Sequence, residues 1–101
     1  RFPFIGDVRG KGMLLAMEFV SDRVTRAPLP APLRAHDRVV EAAYARGLIV
    51  YSRRTRGGFS GDHVLVCPPM ITTSAQADDI IGRLGDALAA FAADVKLPVA
   101  A

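Results

Sequence analysis

Gly61-Asp62-His63-Val64-Leu65-Val66-Cys67-Pro68-Pro69-Met70-Ile71-Thr72-Thr73 sets out a turn, a strand, its stop and a helix start in one run. Gly61-Asp62 marks a turn, and the apolar run His63 to Cys67 reads as a strand. Pro68 and Pro69 lack backbone N–H groups and end it. Thr73 then offers a side-chain acceptor to the first helical turn, and Gln76 stands three residues on, as a capping box requires. The helix this opens is expected from Ala75 to about Ala92, with Ile80, Ile81, Leu84, Leu88 and Phe91 on one apolar face. Gly82 and Gly85 each weaken it by about 1 kcal/mol relative to Ala.

Upstream, Leu48-Ile49-Val50-Tyr51 reads as another strand. A loop from Ser52 to Gly61, rich in glycine and arginine, separates it from His63–Cys67, so the two are expected to pair as an antiparallel hairpin. Leu33 to Arg46 carries Leu33, Val40, Ala43 and Tyr44 at helical spacing beside Val39, and Gly47 follows as a C-terminal cap. His36 falls on the polar side of that helix and is expected to be exposed. Pro28, Pro30 and Pro32 make Ser21–Pro32 a surface linker. Met13 to Val20 is nearly all apolar and reads as a strand covered on both faces, and Val8-Arg9-Gly10-Lys11-Gly12 before it reads as a turn or bulge. The order is strand, helix, strand, strand, helix. This predicts an α+β fold with a small three-stranded, mainly antiparallel sheet and two helices on one face.

The 101 residues suffice for one small domain, expected over residues 1–93 with a flexible tail over 94–101. Half the residues are hydrophobic and 23% are charged, a globular rather than disordered composition. The apolar start at Arg1-Phe2-Pro3-Phe4-Ile5 reads as the middle of a longer protein. No apolar run approaches the ~20 residues of a membrane-spanning helix. A single Cys67 excludes an internal disulfide and fits a reducing cytoplasm. It closes an apolar strand, where a small buried thiol is expected. The scattered Cys67, His36 and His63 make no zinc site.

The net charge of +3 is concentrated at Arg53, Arg54 and Arg56. Nucleic-acid binding calls for a broader basic face with aromatic residues between the charges. Gly6-x-x-x-Gly10-x-Gly12 precedes a strand, whereas a phosphate loop follows one and leads into a helix. Asp62 and His63 are neighbours on a strand and point to opposite faces, which argues against an acid–base pair. Lys11 and Lys96 are the only lysines, and neither sits in a run that suggests a desolvated amine. A guanidinium offers parallel donors that match a carboxylate, so Arg53, Arg54 or Arg56 is the candidate contact to an acidic substrate, with a solvated loop as the plainer alternative.

Ile5-Gly6-Asp7-Val8-Arg9-Gly10-Lys11-Gly12-Met13, Gly47-Leu48-Ile49-Val50, Gly61 to Pro69 and Thr73-x-x-Gln76 stand in this order along the chain. Together they resemble the C-terminal small domain of class III (omega-type) aminotransferases, pyridoxal-phosphate enzymes of fold type I. The resemblance covers most of residues 5–92. It implies transfer of an amino group between an amine or amino acid and an oxo acid. It also implies that the catalytic lysine and the cofactor contacts lie in a large domain of the same polypeptide, so that this piece alone is inactive and binds no cofactor. A homodimer is implied for the intact enzyme, with no nucleic-acid or membrane partner. In several family members an arginine beyond the middle strand pairs with the substrate carboxylate. The corresponding place here holds Tyr51 and Ser52, which leaves Arg53, Arg54 or Arg56 to take that role. The competing reading is a standalone small-molecule-binding or regulatory α+β module.

Overall fold

The computed structural model describes residues 2–55 and 60–97; Arg56 and the last four residues lie outside them. Strand β1 is Ile5–Lys11 and β2 is Leu14–Phe19. A short 3-10 turn at Ala31–Leu33 leads into helix α1, Ala35–Tyr44. Strands β3, Tyr51–Thr55, and β4, Ser60–Val66, precede helix α2, Ser74–Val95. The sheet order is β1-β2-β4-β3 and every pairing is antiparallel.

The sheet therefore has four strands where three were expected. The extra one is β1, which the glycines at 10 and 12 disguised as a turn. Lys11 pairs with Leu14, so Gly12-Met13 is a two-residue hairpin loop, with Gly12 at φ +61 in its first central position. Gly10 lies within the strand at φ +144, and a Cβ there would sit 2.1 Å from the Leu14 carbonyl oxygen. Glycine serves close backbone approach here rather than a bend.

β3 also begins later than expected. Leu48 and Val50 are buried, but the residues that pair with β4 run from Tyr51 to Thr55. Their apolar character reflects packing into the core, not ladder pairing. Arg53 and Arg54 thus stand on a strand instead of in a loop. The hairpin with β4 forms as expected.

α1 ends as its sequence indicates. Gly47 N–H donates to the Tyr44 carbonyl and Leu48 N–H to the Ala43 carbonyl, the paired bonds of a Schellman cap. Arg83 of α2 adds a third donor there, reaching the Arg46 carbonyl at 2.6 Å. The capping box of α2 is complete. Gln76 N–H donates to Thr73 Oγ1 at 3.2 Å, and Thr73 N–H donates to Gln76 Oε1 at 2.9 Å. α2 continues to Val95, about a turn further than its apolar pattern suggested.

Alternation along the strands sorts the two faces of the sheet. Phe19, Asp62 and Val64 point to the helices and are fully buried. Phe4, Phe19 and Phe91 meet beneath α2, with Phe4 and Phe91 edge to face at 5.5 Å between centroids. Val39 and Ala43 of α1 and Ala87, Leu88 and Phe91 of α2 close the core. Truncating one of these phenylalanines to Ala is expected to cost about 3–5 kcal/mol. Tyr44 and Ile81, placed on apolar faces by their spacing, are in fact exposed, and small residues, Ala35, Ala43 and Ala87, fill the close helix contacts. The proline linker stays mostly on the surface but sends Leu29 into the core. Arg23 ties it down by donating to the Ile5 and Phe2 carbonyls, both at 2.9 Å.

Candidate functional site

The chemically densest place in the fold is a buried ionic cluster where β3, β4 and the start of α1 meet. Asp62 of β4 is 1% exposed. Arg54 of β3 donates from Nε to Asp62 Oδ1 at 2.6 Å and from Nη2 to the Ala31 carbonyl at 2.5 Å. The other carboxylate oxygen, Oδ2, accepts the backbone N–H of His36 at 3.3 Å and lies 3.3 Å from His36 Nδ1. A buried carboxylate is tolerable only when charge and hydrogen bonds replace its water, and here both do.

The cluster has a local cause. Arg34 precedes α1 in the left-handed conformation, φ 50 and ψ 49, and supplies no side-chain cap. The first N–H groups of the helix therefore need an outside acceptor. Asp62, 26 residues on, provides it and adds a negative charge at the positive end of the helix. His36 is buried as a result, correcting the expectation that it is exposed. Its signal in the sequence was indirect: a helix start with no Ser, Thr, Asp or Asn before it.

Asp37 stands beside this cluster. Burial pushes its carboxyl up, but the Arg34 hydrogen bond, the charges of His36 and Arg34 and a hydrogen bond from Ser52 outweigh that and hold it below its ordinary value.

The three candidate arginines are separated. Arg54 is turned inward and engaged with Asp62. Arg53 is exposed on the opposite face of the sheet, level with His63 across the β3–β4 pair. Arg56 lies outside the described residues. His63 Nδ1 lies 2.9 Å from the Gly61 carbonyl, so Asp62 and His63 serve different faces, as strand alternation predicts. Further along that open face, Arg9 bridges Glu18 at 2.8 Å and Asp7 at 3.0 Å, contacts that raise its already high pKa.

Cys67 is exposed rather than buried, because β4 ends at Val66 and the thiol falls beyond the covered part of the strand. Lys11 ends β1 and Lys96 caps α2; both are exposed. The described residues hold no group of three or more His, Cys, Asp and Glu arranged for a metal ion, and no described helix is long and apolar enough to cross a membrane.

No family model matches the chain. Individual proteins do. It is 36% identical over 93 residues to an uncharacterized aminotransferase of Bacillus subtilis, covering 91% of this chain and 21% of that protein. It is 38% identical over 87 residues to a taurine–pyruvate aminotransferase of Bilophila wadsworthia, covering 86% of this chain and 19% of the relative. Its homologues are aminotransferases. Among solved structures, an omega-aminotransferase from Paracoccus denitrificans superposes with a TM-score of 0.80 at 34% identity over 92% of this chain. A PLP-bound aminotransferase mutant from Vibrio fluvialis superposes with a TM-score of 0.82 at 33% identity, again over 92% of this chain and 19% of that one. The chain thus spans about a fifth of the length of the aminotransferases it matches.

Proposed function

We propose that these residues form the C-terminal small domain of a class III, fold-type-I aminotransferase, which moves an amino group between an amine or amino acid and an oxo acid. The observation that carries this reading is the superposition on omega-transaminase structures over 92% of the chain at 33–34% identity. The order of the turn, strand and capping motifs supports it independently.

Pyridoxal phosphate, bound in the intact enzyme, supplies the electron sink for chemistry at the amine-bearing carbon. The residues described here do not fit that group. Lys11 and Lys96 are exposed, and neither is backed by a desolvating pocket. The cofactor is therefore held by the large domain of the same polypeptide, and this segment alone is inactive. The intact enzyme is a homodimer. This chain's own contribution is to shape the substrate end of the site. Arg54 is committed to Asp62 and holds β3 in place. Arg53, on the open face and with no ion-pair partner among the described residues, pairs with the substrate carboxylate, with Arg56 as the second candidate.

The test compares the natural full-length polypeptide with this 101-residue segment in an amine-to-oxo-acid transfer assay supplied with pyridoxal phosphate. Transfer is expected from the former alone. Turnover by the segment, or none by the full-length polypeptide, contradicts the proposal.

A further inference from the structure

The pairing of β3 with β4 breaks step once. Arg53 faces His63 and Thr55 faces Ser60, so β4 sets Gly61 and Asp62 against the single Arg54. Gly61 stands at φ +76, the left-handed conformation that opens a bulge of this kind and that glycine adopts without strain. The Gly61 carbonyl lies 2.9 Å from His63 Nδ1. A carbonyl oxygen only accepts, so Nδ1 keeps its proton and Nε2 is the nitrogen that gains or loses one. Among the described residues no group bonds Nε2. The backbone thus fixes the ring and leaves one titrating atom for the open face of the sheet.

Across that face the strands line up Asp7, Glu18, His63 and Arg53 in one row. Directly opposed side chains on neighbouring strands start about 5 Å apart. Arg9 bridges Asp7 and Glu18, so the acidic end of the row is matched from within. The basic end is not, because Arg53 has no ion-pair partner among the described residues. The groups that face the His63 ring are Glu18 from β2, Arg53 from β3 and, one row on, Tyr51, with Asp7 and Arg9 of β1 beyond Glu18. Asp62 is turned to the core and engaged with Arg54 and His36. We infer that His63 is a second specificity-determining residue beside Arg53, one that ties recognition of an acceptor's carboxylate to pH. As imidazolium it donates from Nε2 to the carboxylate that Arg53 holds. As the neutral ring it turns a lone pair toward the same oxygens and repels them. The inference rests on the reading above that Arg53 pairs with the substrate carboxylate.

The experiment uses the natural full-length polypeptide loaded with pyridoxal phosphate. It takes the ratio of kcat/KM for pyruvate to that for propanal, which lacks the carboxylate, from about pH 6 to about pH 8. Effects of pH on the cofactor and on the transfer step enter both values and cancel. The ratio should fall about tenfold over that range, the worth of one charge-assisted hydrogen bond. His63→Gln keeps an N–H donor that does not titrate, so its ratio should stay flat and, at about pH 8, exceed that of the natural polypeptide. A flat ratio in the natural polypeptide, or the same fall in His63→Gln, overturns the inference and leaves the aminotransferase reading intact. Arg53→Ala should lower the ratio at every pH; an undiminished ratio there overturns the Arg53 contact alone, since the fall in the natural polypeptide still decides His63. No transfer to either acceptor by the natural polypeptide overturns the whole reading.

Discussion

Removing the Asp62 carboxylate is the sharpest perturbation this fold offers. Asp62 is 1% exposed and the Arg54 side chain 11%, so the pair is screened by protein rather than water. In Asp62→Ala, Arg54 loses its bond to this carboxylate while its Ala31 contact remains, and His36 N–H loses its cap. Orphaning one member of a buried ion pair costs about 3–5 kcal/mol. The retained Ala31 contact points to the lower end, about 3 kcal/mol, with the lost cap contributing about 1 of it. Against a domain stability of about 5–15 kcal/mol, that loss is a large fraction of the whole. Arg54→Met strands the carboxylate and should cost a similar amount. The double variant Arg54→Met, Asp62→Ala strands neither charge and should cost about 1 kcal/mol, chiefly the lost cap. Urea melts of the four proteins give the coupling energy directly. A coupling of about 3 kcal/mol or more is expected. Additive single costs, or an Asp62→Ala cost below about 1 kcal/mol, would refute the argument that this carboxylate organises β3, β4 and α1.

Three further outcomes are expected. Gly10→Ala must displace the Leu14 carbonyl, 2.1 Å from the new Cβ, and adopt φ +144, for a cost of about 3 kcal/mol or more. Gly12→Ala meets open space and only the φ penalty, about 1 kcal/mol, so thermal melts should rank the two in that order. Asp37 has a folded pKa below its ordinary 3.8, so its stabilisation is full above that value and is lost as pH falls through the depressed one; Asp37→Asn should flatten the stability curve below about pH 4 and leave its shape above about pH 5 unchanged. Arg53→Ala in the full-length polypeptide should reduce kcat/KM for an oxo acid by about tenfold or more while sparing acceptors without a carboxylate; equal losses for both acceptor types would remove Arg53 from substrate recognition.

The parts of the fold that a reader of the sequence could see are those fixed by near neighbours. Thr73 and Gln76 cap α2 from within one turn of it, Gly47 closes α1, and Pro68-Pro69 follow the end of β4. The parts that were hidden depend on distant partners. β1 was obscured because Gly10 answers to Leu14 across the hairpin, and glycine in a strand carries the same letter as glycine in a turn. β3 was displaced because Leu48 and Val50 are apolar for the core, while the polar Tyr51–Thr55 run makes the ladder. His36 and Arg54 gave no local sign of burial, since the carboxylate that holds them sits on another strand. The candidate arginines were legible as a cluster, but only strand alternation separates Arg53 on the open face from Arg54 in the core.

The mass of the natural polypeptide that contains this sequence, measured together with its content of pyridoxal phosphate, decides whether these residues are one domain of a larger aminotransferase. The chain covers 16–21% of the aminotransferases it matches, so a product about five to six times its 10.8 kDa, carrying the cofactor, is expected. A natural product of about 10.8 kDa that takes up no pyridoxal phosphate would contradict it.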